Sequence, residues 1–215
     1  MKYQLRDYQK KASDAAVMCF KMKSGRNGLL VLPTGAGKSL IIADIAARLE
    51  EPLIVFQPNK EILEQNFAKL QTYGIWDCSI YSASVGRKEI SRITFATIGS
   101  VIRHMKDFQH FKNILIDECH LVKPSDGMYK RFFEQAERRI VGLTATPYRL
   151  YSCMNGSMLK FLTRTRPRVF SQVLYYCQVS ELLAKGFLSR LKYYDVTRID
   201  LTKVRRNSSG ADFDD

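Results

Sequence analysis

Short apolar runs alternate along this chain with stretches in which apolar residues recur every three or four positions, a pattern of buried strands joined by amphipathic helices. Leu5, Tyr8, Ala12, Ala15, Ala16 and Cys19 share such a spacing and predict a helix over residues 5–23, ended by the glycines at 25 and 28. Leu29 to Leu32 then predict a buried strand running into a Pro-Thr-Gly-Ala-Gly turn, and a helix follows from Lys38 to about Leu49. The alternation repeats with a strand at Leu53–Phe56, a helix at Lys60–Leu70, and strands at Ile93–Ile98, Ile114–Asp117 and Ile140–Leu143. Strands this short and apolar, separated by helices, imply parallel βαβ units with both faces of the sheet covered. The predicted class is therefore α/β, a three-layer sandwich with a mostly parallel central sheet, whose ligands bind at the carboxyl ends of the strands.

After Pro147 the rhythm weakens. A basic, loop-like stretch at Thr163–Arg168 precedes a strand around Val169–Tyr176 and a helix over Val179–Lys185, and a further strand is expected to start near Tyr193. Residues Asn207–Asp215, with Asn-Ser-Ser-Gly and three aspartates, read as a flexible end.

With 46% hydrophobic and 26% charged residues in 215, the composition is that of a globular protein able to bury a core. Its net charge of +13 attracts polyanions, nucleic acid first among them. The excess is spread along the chain, 22 basic against 15 acidic residues in 1–147 and 12 against 6 in 148–215, so it is no basic tail. Five widely spaced cysteines without a C-x-x-C pair argue against a disulfide framework and a structural zinc site, and fit a reducing cytoplasm. The charged N-terminus has no signal-peptide core, and no stretch approaches the ~18 apolar residues of a membrane span.

Pro33-Thr34-Gly35-Ala36-Gly37-Lys38-Ser39 follows the first predicted strand and opens a helix, the context a phosphate-binding loop requires. Gly35 and Gly37 allow successive backbone N–H groups to turn toward phosphate oxygens at a helix N-terminus. Lys38 would contact the β- and γ-phosphates of ATP, and Ser39 would place its hydroxyl on Mg²⁺. Leu32 stands where the strict pattern G-x-x-x-x-G-K-[ST] has its first glycine. Asp117 and Glu118 follow the strand Ile114-Leu115-Ile116. Alone such a pair is a solvated surface feature; downstream of a phosphate loop, Asp117 would hold Mg²⁺ and Glu118 would deprotonate the attacking water.

Asp117-Glu118-Cys119-His120 resembles the DEAD and DEAH boxes of superfamily 2 helicases, and further blocks match in that family's order. Leu5-Arg6-Asp7-Tyr8-Gln9 resembles the adenine-recognition motif, which implies that Arg6 and Gln9 belong to the nucleotide site, with the Gln9 amide on the adenine edge. Gln57 to Gln65 resembles motif Ia and Thr94 to Ser100 a later backbone-contacting segment, implying nucleic-acid contacts at Pro58, Asn59, Lys60 and Thr97. Residue by residue, loop and helix-cap chemistry accounts for the same side chains. Gly142 to Arg149 resembles motif III, implying that Thr144 and Thr146, joined by His120, couple the ATP site to the nucleic-acid site. Glu181 to Leu188 resembles the connecting helix of the restriction-enzyme-like and RadD-like DNA branch, which favours DNA over RNA.

The resemblance implies a RecA-like P-loop domain over residues 1–150, a connector over 151–190, and over 191–215 the start of a truncated second domain or a flexible tail. It also implies that a second RecA-like domain of the same parent supplies an arginine to the γ-phosphate, so that this chain alone turns over ATP very slowly. Two other readings stand beside it. A small-molecule kinase or other P-loop phosphotransferase would share Lys38, Ser39 and the downstream Asp117, with Thr163–Arg168 as its only candidate lid. A nucleic-acid-binding module without catalysis would use the charge alone.

Overall fold

The computed structural model describes residues 4–22, 26–153 and 156–190, so the strand expected near Tyr193 and the flexible end lie outside the described residues. In chain order the elements are α1 (Asp7–Lys21), β1 (Gly28–Val31), α2 (Lys38–Arg48), β2 (Leu53–Phe56), α3 (Lys60–Gln71), β3 (Cys78–Ser82), β4 (Arg87–Lys88), β5 (Ile93–Ala96) and α4 (Ile98–Val101). Next come β6 (Asn113–Ile116), α5 (Met128–Phe133), β7 (Arg139–Thr144), β8 (Tyr148–Cys153), β9 (Gly156–Phe161), β10 (Gln172–Tyr176) and α6 (Val179–Ala184). Eight strands form one sheet in the order β10-β1-β7-β6-β2-β5-β3-β4, parallel throughout except for the short β4, which runs antiparallel to β3.

The period of two along each central strand divides the core. Leu30, Leu53, Val55, Leu115, Val141 and Leu143 point to one face, where α1, α2, α3 and α6 cover them. Their neighbours Leu29, Ile54, Phe56, Ile114, Ile116 and Ile140 point to the other, under Phe108, Phe111 and Phe132. Both faces are thus apolar, which is why these strands read in the sequence as continuous runs. The result is the predicted three-layer α/β sandwich.

Gly142 in β7 is required for space. A Cβ there would lie 2.6 Å from Cys119 Sγ and 2.8 Å from Phe170 Cε1. Gly142→Ala should therefore lower unfolding stability by about 1–3 kcal/mol, read as a reduced urea midpoint at unchanged slope, because the overpacked core must shift.

Several elements were not expected. β3, Cys-Ser-Ile-Tyr-Ser, mixes polar and apolar residues and matches no clean period, yet it pairs with β5 in the sheet. The predicted strand Ile93–Ile98 ends at Ala96, because the Thr97 carbonyl accepts from the Ser100 and Val101 N–H groups and begins α4. Strands β8 and β9 form a separate antiparallel hairpin. The strand expected around Val169–Tyr176 does form, as β10, and it lies beside β1, so the segment after residue 150 contributes an edge strand to the main sheet.

Candidate active site

The phosphate loop joins β1 to α2, and its two glycines take left-handed backbone, φ 80° at Gly35 and 77° at Gly37. No other residue type adopts such angles cheaply, and both positions are also crowded. A Cβ on Gly37 would come within 2.5 Å of Gln9 Nε2, and one on Gly35 within 2.9 Å of Leu188 Cδ2. Leu32 N–H donates to the Thr144 carbonyl at 3.0 Å, pinning the start of the loop to the end of β7. Ala36 N–H donates to the Pro33 carbonyl at 3.2 Å. Thr34 and Gly35 are exposed at the tip, while Pro33 and Ala36 are buried.

Helix α1 fastens the loop from the side. Tyr8 Oη and Gln9 Nε2 each donate to the Ala36 carbonyl at 2.9 Å, and Gln9 Oε1 accepts from the Arg6 N–H at 2.9 Å. Gln9, 3% exposed, thus braces loop to helix; its amide keeps one N–H and one lone pair for a further partner. Tyr8 has this role although its place on the apolar side of α1 explains it in the sequence as packing alone. Arg6 lies 4.1 Å over the ring of Phe187, which in turn packs 5.8 Å from Tyr8. Arg6, Tyr8, Lys185 and Phe187 line a cavity of about 400 Å³ beside the loop. Only the chain reversal after α6 brings Phe187 and Leu188 here, and no sequence spacing pointed to them.

Asp117 leaves the end of β6, its N–H bonded to the Phe56 carbonyl at 3.0 Å. Glu118 comes next in left-handed conformation, φ 46° and ψ 48°, the one non-glycine residue with positive φ among the described residues. Such backbone costs on the order of 1–3 kcal/mol and collects at functional sites. The turn directs Glu118 to Lys38, with Oε1 2.8 Å from Nζ, and to His120, with Oε2 3.3 Å from Nδ1. A carboxylate can only accept, so this contact is an ion pair when the imidazole is protonated. Nδ1 is also 3.0 Å from Thr144 Oγ1, and that hydroxyl accepts from the Thr146 N–H at 3.0 Å. The expected residues Lys38, Glu118, His120, Thr144 and Thr146 therefore form one connected line.

Burial, and next the Glu118 charge, push the Asp117 carboxyl up from 3.8 to about 6, against the opposing pull of Lys38 and two hydrogen bonds. A raised folded-state value means that the native state holds its proton longer than the unfolded chain does. This contribution to stability is whole below about pH 4 and lost as pH rises through about 6. Without nucleotide, Asp117→Asn should be more stable than the parent at pH 8, by up to about 3 kcal/mol, and lose that advantage at pH 4. Urea unfolding at the two pH values checks this.

The residues fit MgATP. Ser39 stands in the first turn of α2, its hydroxyl without a protein partner among the described residues, and Asp117 adds a carboxylate; both are the hard oxygen donors Mg²⁺ prefers. Among the described residues no group of three or more His, Cys, Asp or Glu side chains could hold a metal by itself, so substrate phosphates would complete such a site.

Pro58, Asn59, Lys60 and Thr97 meet on a different surface. They line one open groove of about 500 Å³ with Lys88 and Arg103, which makes it basic. Asn59 Oδ1 is engaged as the cap of α3, accepting from the Ile62 N–H at 3.0 Å. The Thr97 hydroxyl lies 3.0 Å from Ser100 Oγ and 3.2 Å from Ser82 Oγ.

Residues 2–149 match the family model described as Type III restriction enzyme, res subunit. Among curated proteins, the chain is 29% identical over 151 residues to the DNA 3'-5' translocase XPB2 of Sulfurisphaera tokodaii, covering 69% of this chain and 32% of that protein. It is 29% identical over 154 residues to the DNA 3'-5' helicase XPB of Mycobacterium tuberculosis, covering 67% and 27%. The chain therefore spans about a third of the length of these relatives. Similar folds occur in the UvsW helicase of bacteriophage T4, with TM-score 0.55, 21% identity, and coverage of 68% of this chain and 54% of that one. A nuclease-deletion mutant of the Type ISP restriction-modification enzyme LlaGI gives TM-score 0.62 at 14% identity, covering 85% and 18%. Phosphate loop, DECH turn and TAT segment all lie within or at the carboxyl ends of strands in the matched stretch, and the chain belongs to the family of the type III restriction enzyme res subunit, with the RecA-like fold of the helicase structures it resembles.

Proposed function

We propose that this chain is the ATP-binding half of an ATP-dependent motor that moves along or unwinds DNA. The observation that carries the reading is the line from Lys38 through Glu118 and His120 to Thr144, which joins a phosphate loop to the segment that pins it. Lys38 would leave Glu118 for the β- and γ-phosphates, freeing Glu118 Oε1 to take a proton from the attacking water. Ser39 and Asp117 would hold Mg²⁺, which offsets the charge on the phosphate oxygens. Arg6 would face the adenine in the cavity shared with Phe187, and the buried Gln9 would offer its remaining amide N–H and lone pair to the adenine edge. His120, Thr144 and Thr146 would report the state of Glu118 to the rest of the sheet.

The DNA translocase and DNA helicase among the relatives favour DNA, although putative ATP-dependent RNA helicases of viruses also match, and the basic groove at Pro58, Asn59, Lys60 and Thr97 suits the phosphates of either. We assign residues 1–150 to the ATP-binding domain, 151–190 to a connector that also supplies its edge strand, and 191–215 to the start of a second domain or a tail. The helicase resemblance implies an arginine supplied by a second RecA-like domain of the parent, and hence slow turnover by this chain alone. The free thiols at Cys19, Cys78, Cys119 and Cys177 suit a reducing cytoplasm, and no described helix is long and apolar enough to cross a membrane. A phosphotransferase lid at Thr163–Arg168 has less support, since Leu162 and Phe170 on either side are anchored in the core.

Titration of the chain with a labelled, non-hydrolysable ATP analogue and Mg²⁺, alone and with single- or double-stranded DNA, tests this reading. Saturable binding that changes with DNA is expected. A folded chain that binds no nucleotide at millimolar concentration would overturn the assignment of the nucleotide site.

A further inference from the structure

Behind Asp117 lies a buried polar pair that neither the phosphate loop nor the Thr144 contacts explain. Asn66, in α3, is 2% exposed, and Gln57, at the end of β2, is 1% exposed. The Asn66 amide uses both of its hydrogens: Nδ2 donates to Asp117 Oδ2 at 3.2 Å and to Gln57 Oε1 at 3.1 Å. Among the described residues, Asn66 Oδ1 and Gln57 Nε2 are buried without a hydrogen-bond partner. Two orphaned groups in one core pair are a standing cost that apolar residues of the same size would avoid, so this arrangement calls for a use.

The position of Gln57 supplies one. Its N–H donates to the Ala96 carbonyl at 3.0 Å, next to Thr97, while the Asp117 N–H donates at 3.0 Å to Phe56, the residue before it. Gln57 also lines a cavity of about 470 Å³ together with Pro58, Thr97 and Lys123. It therefore stands where the strand carrying Asp117, the strand leading to Thr97 and the Pro58–Lys60 turn all meet.

We propose that Asn66 and Gln57 are positioning residues: Asn66 holds Asp117 Oδ2 in the orientation that receives Mg²⁺, and Gln57 makes that orientation respond to DNA in the neighbouring groove. DNA phosphates displacing the Pro58–Lys60 turn shift Gln57, Gln57 turns the Asn66 amide, and the carboxylate moves with it. This route runs through α3 and is separate from the contact of His120 with Thr144. It rests on the assignment of the nucleotide site to MgATP.

The test is the Mg²⁺ concentration that half-saturates binding of the labelled ATP analogue, with and without a short DNA duplex. Asn66→Leu should raise it about tenfold, while affinity for the metal-free nucleotide stays within about twofold of the parent; the melting temperature is followed alongside, because the change also leaves Gln57 Oε1 without its donor. Gln57→Met should abolish the shift that duplex causes in the parent. If Asn66→Leu does not fold, Asn66→Ser, too short to reach Asp117, takes its place with the same expectation. A half-saturating Mg²⁺ unchanged in the folded Asn66 variant overturns the positioning role. A duplex-induced shift that is absent in the parent, or survives in Gln57→Met, overturns the response to DNA. A parent chain that binds no nucleotide at all defeats the nucleotide-site reading instead, and is seen before any variant is made.

Discussion

Glu118→Gln should lower ATP hydrolysis by about 10²–10⁴-fold in single-turnover phosphate release with duplex present, while nucleotide remains bound. The loss comes from chemistry rather than from architecture. Glutamine keeps an Oε1 able to accept from Lys38 and can keep contact with His120, so the line to Thr144 survives. What disappears is the basic carboxylate that takes the proton of the attacking water. Removing its charge also releases Lys38 from an ion pair, so nucleotide affinity should rise or stay level. Hydrolysis at the parental rate in this variant would show that another group activates the water, and the strained turn at Glu118 would need a different explanation.

Lys38→Ala is expected to weaken binding of the ATP analogue by about 10–100-fold, the loss of a hydrogen bond between charged partners. The side chain is largely shielded, 14% exposed, and it faces one carboxylate directly at 2.8 Å. That pairing is a stand-in for phosphate: ATP would replace one carboxylate by several phosphate oxygens. The variant should still fold, since Glu118 is a quarter exposed and water can take over its solvation. Affinity for DNA in the absence of nucleotide should change little, because the groove at Lys60, Lys88 and Arg103 does not include Lys38. Fluorescence titrations of nucleotide and of duplex on the same preparation separate the two. Equal nucleotide affinity in variant and parent would mean that the loop does not hold phosphate through this lysine.

The local pattern by itself determined the central strands, the first three helices and the class of sheet, because strands buried on both faces must be apolar throughout and their helices must show one apolar side. It also determined the chemistry on offer: a glycine loop ahead of Lys38 and Ser39, and two carboxylates after an apolar strand. These are short-range features, written within a few residues of each other. The tertiary structure alone decided which distant groups meet. β3 joins the sheet in spite of its mixed residues, since pairing with β5 satisfies its backbone wherever its side chains point. Tyr8 looked like core and turned out to hold Ala36 as well. Phe187 and Leu188 reach the nucleotide loop only because β10 returns beside β1, 140 residues and more away in the chain. Asn66 reads as an ordinary polar helix position, and Gln57 only as the start of the block resembling motif Ia, until both are seen behind Asp117. An amide or a hydroxyl has the same letter whether it faces water or a buried carboxylate, and only packing removes the water.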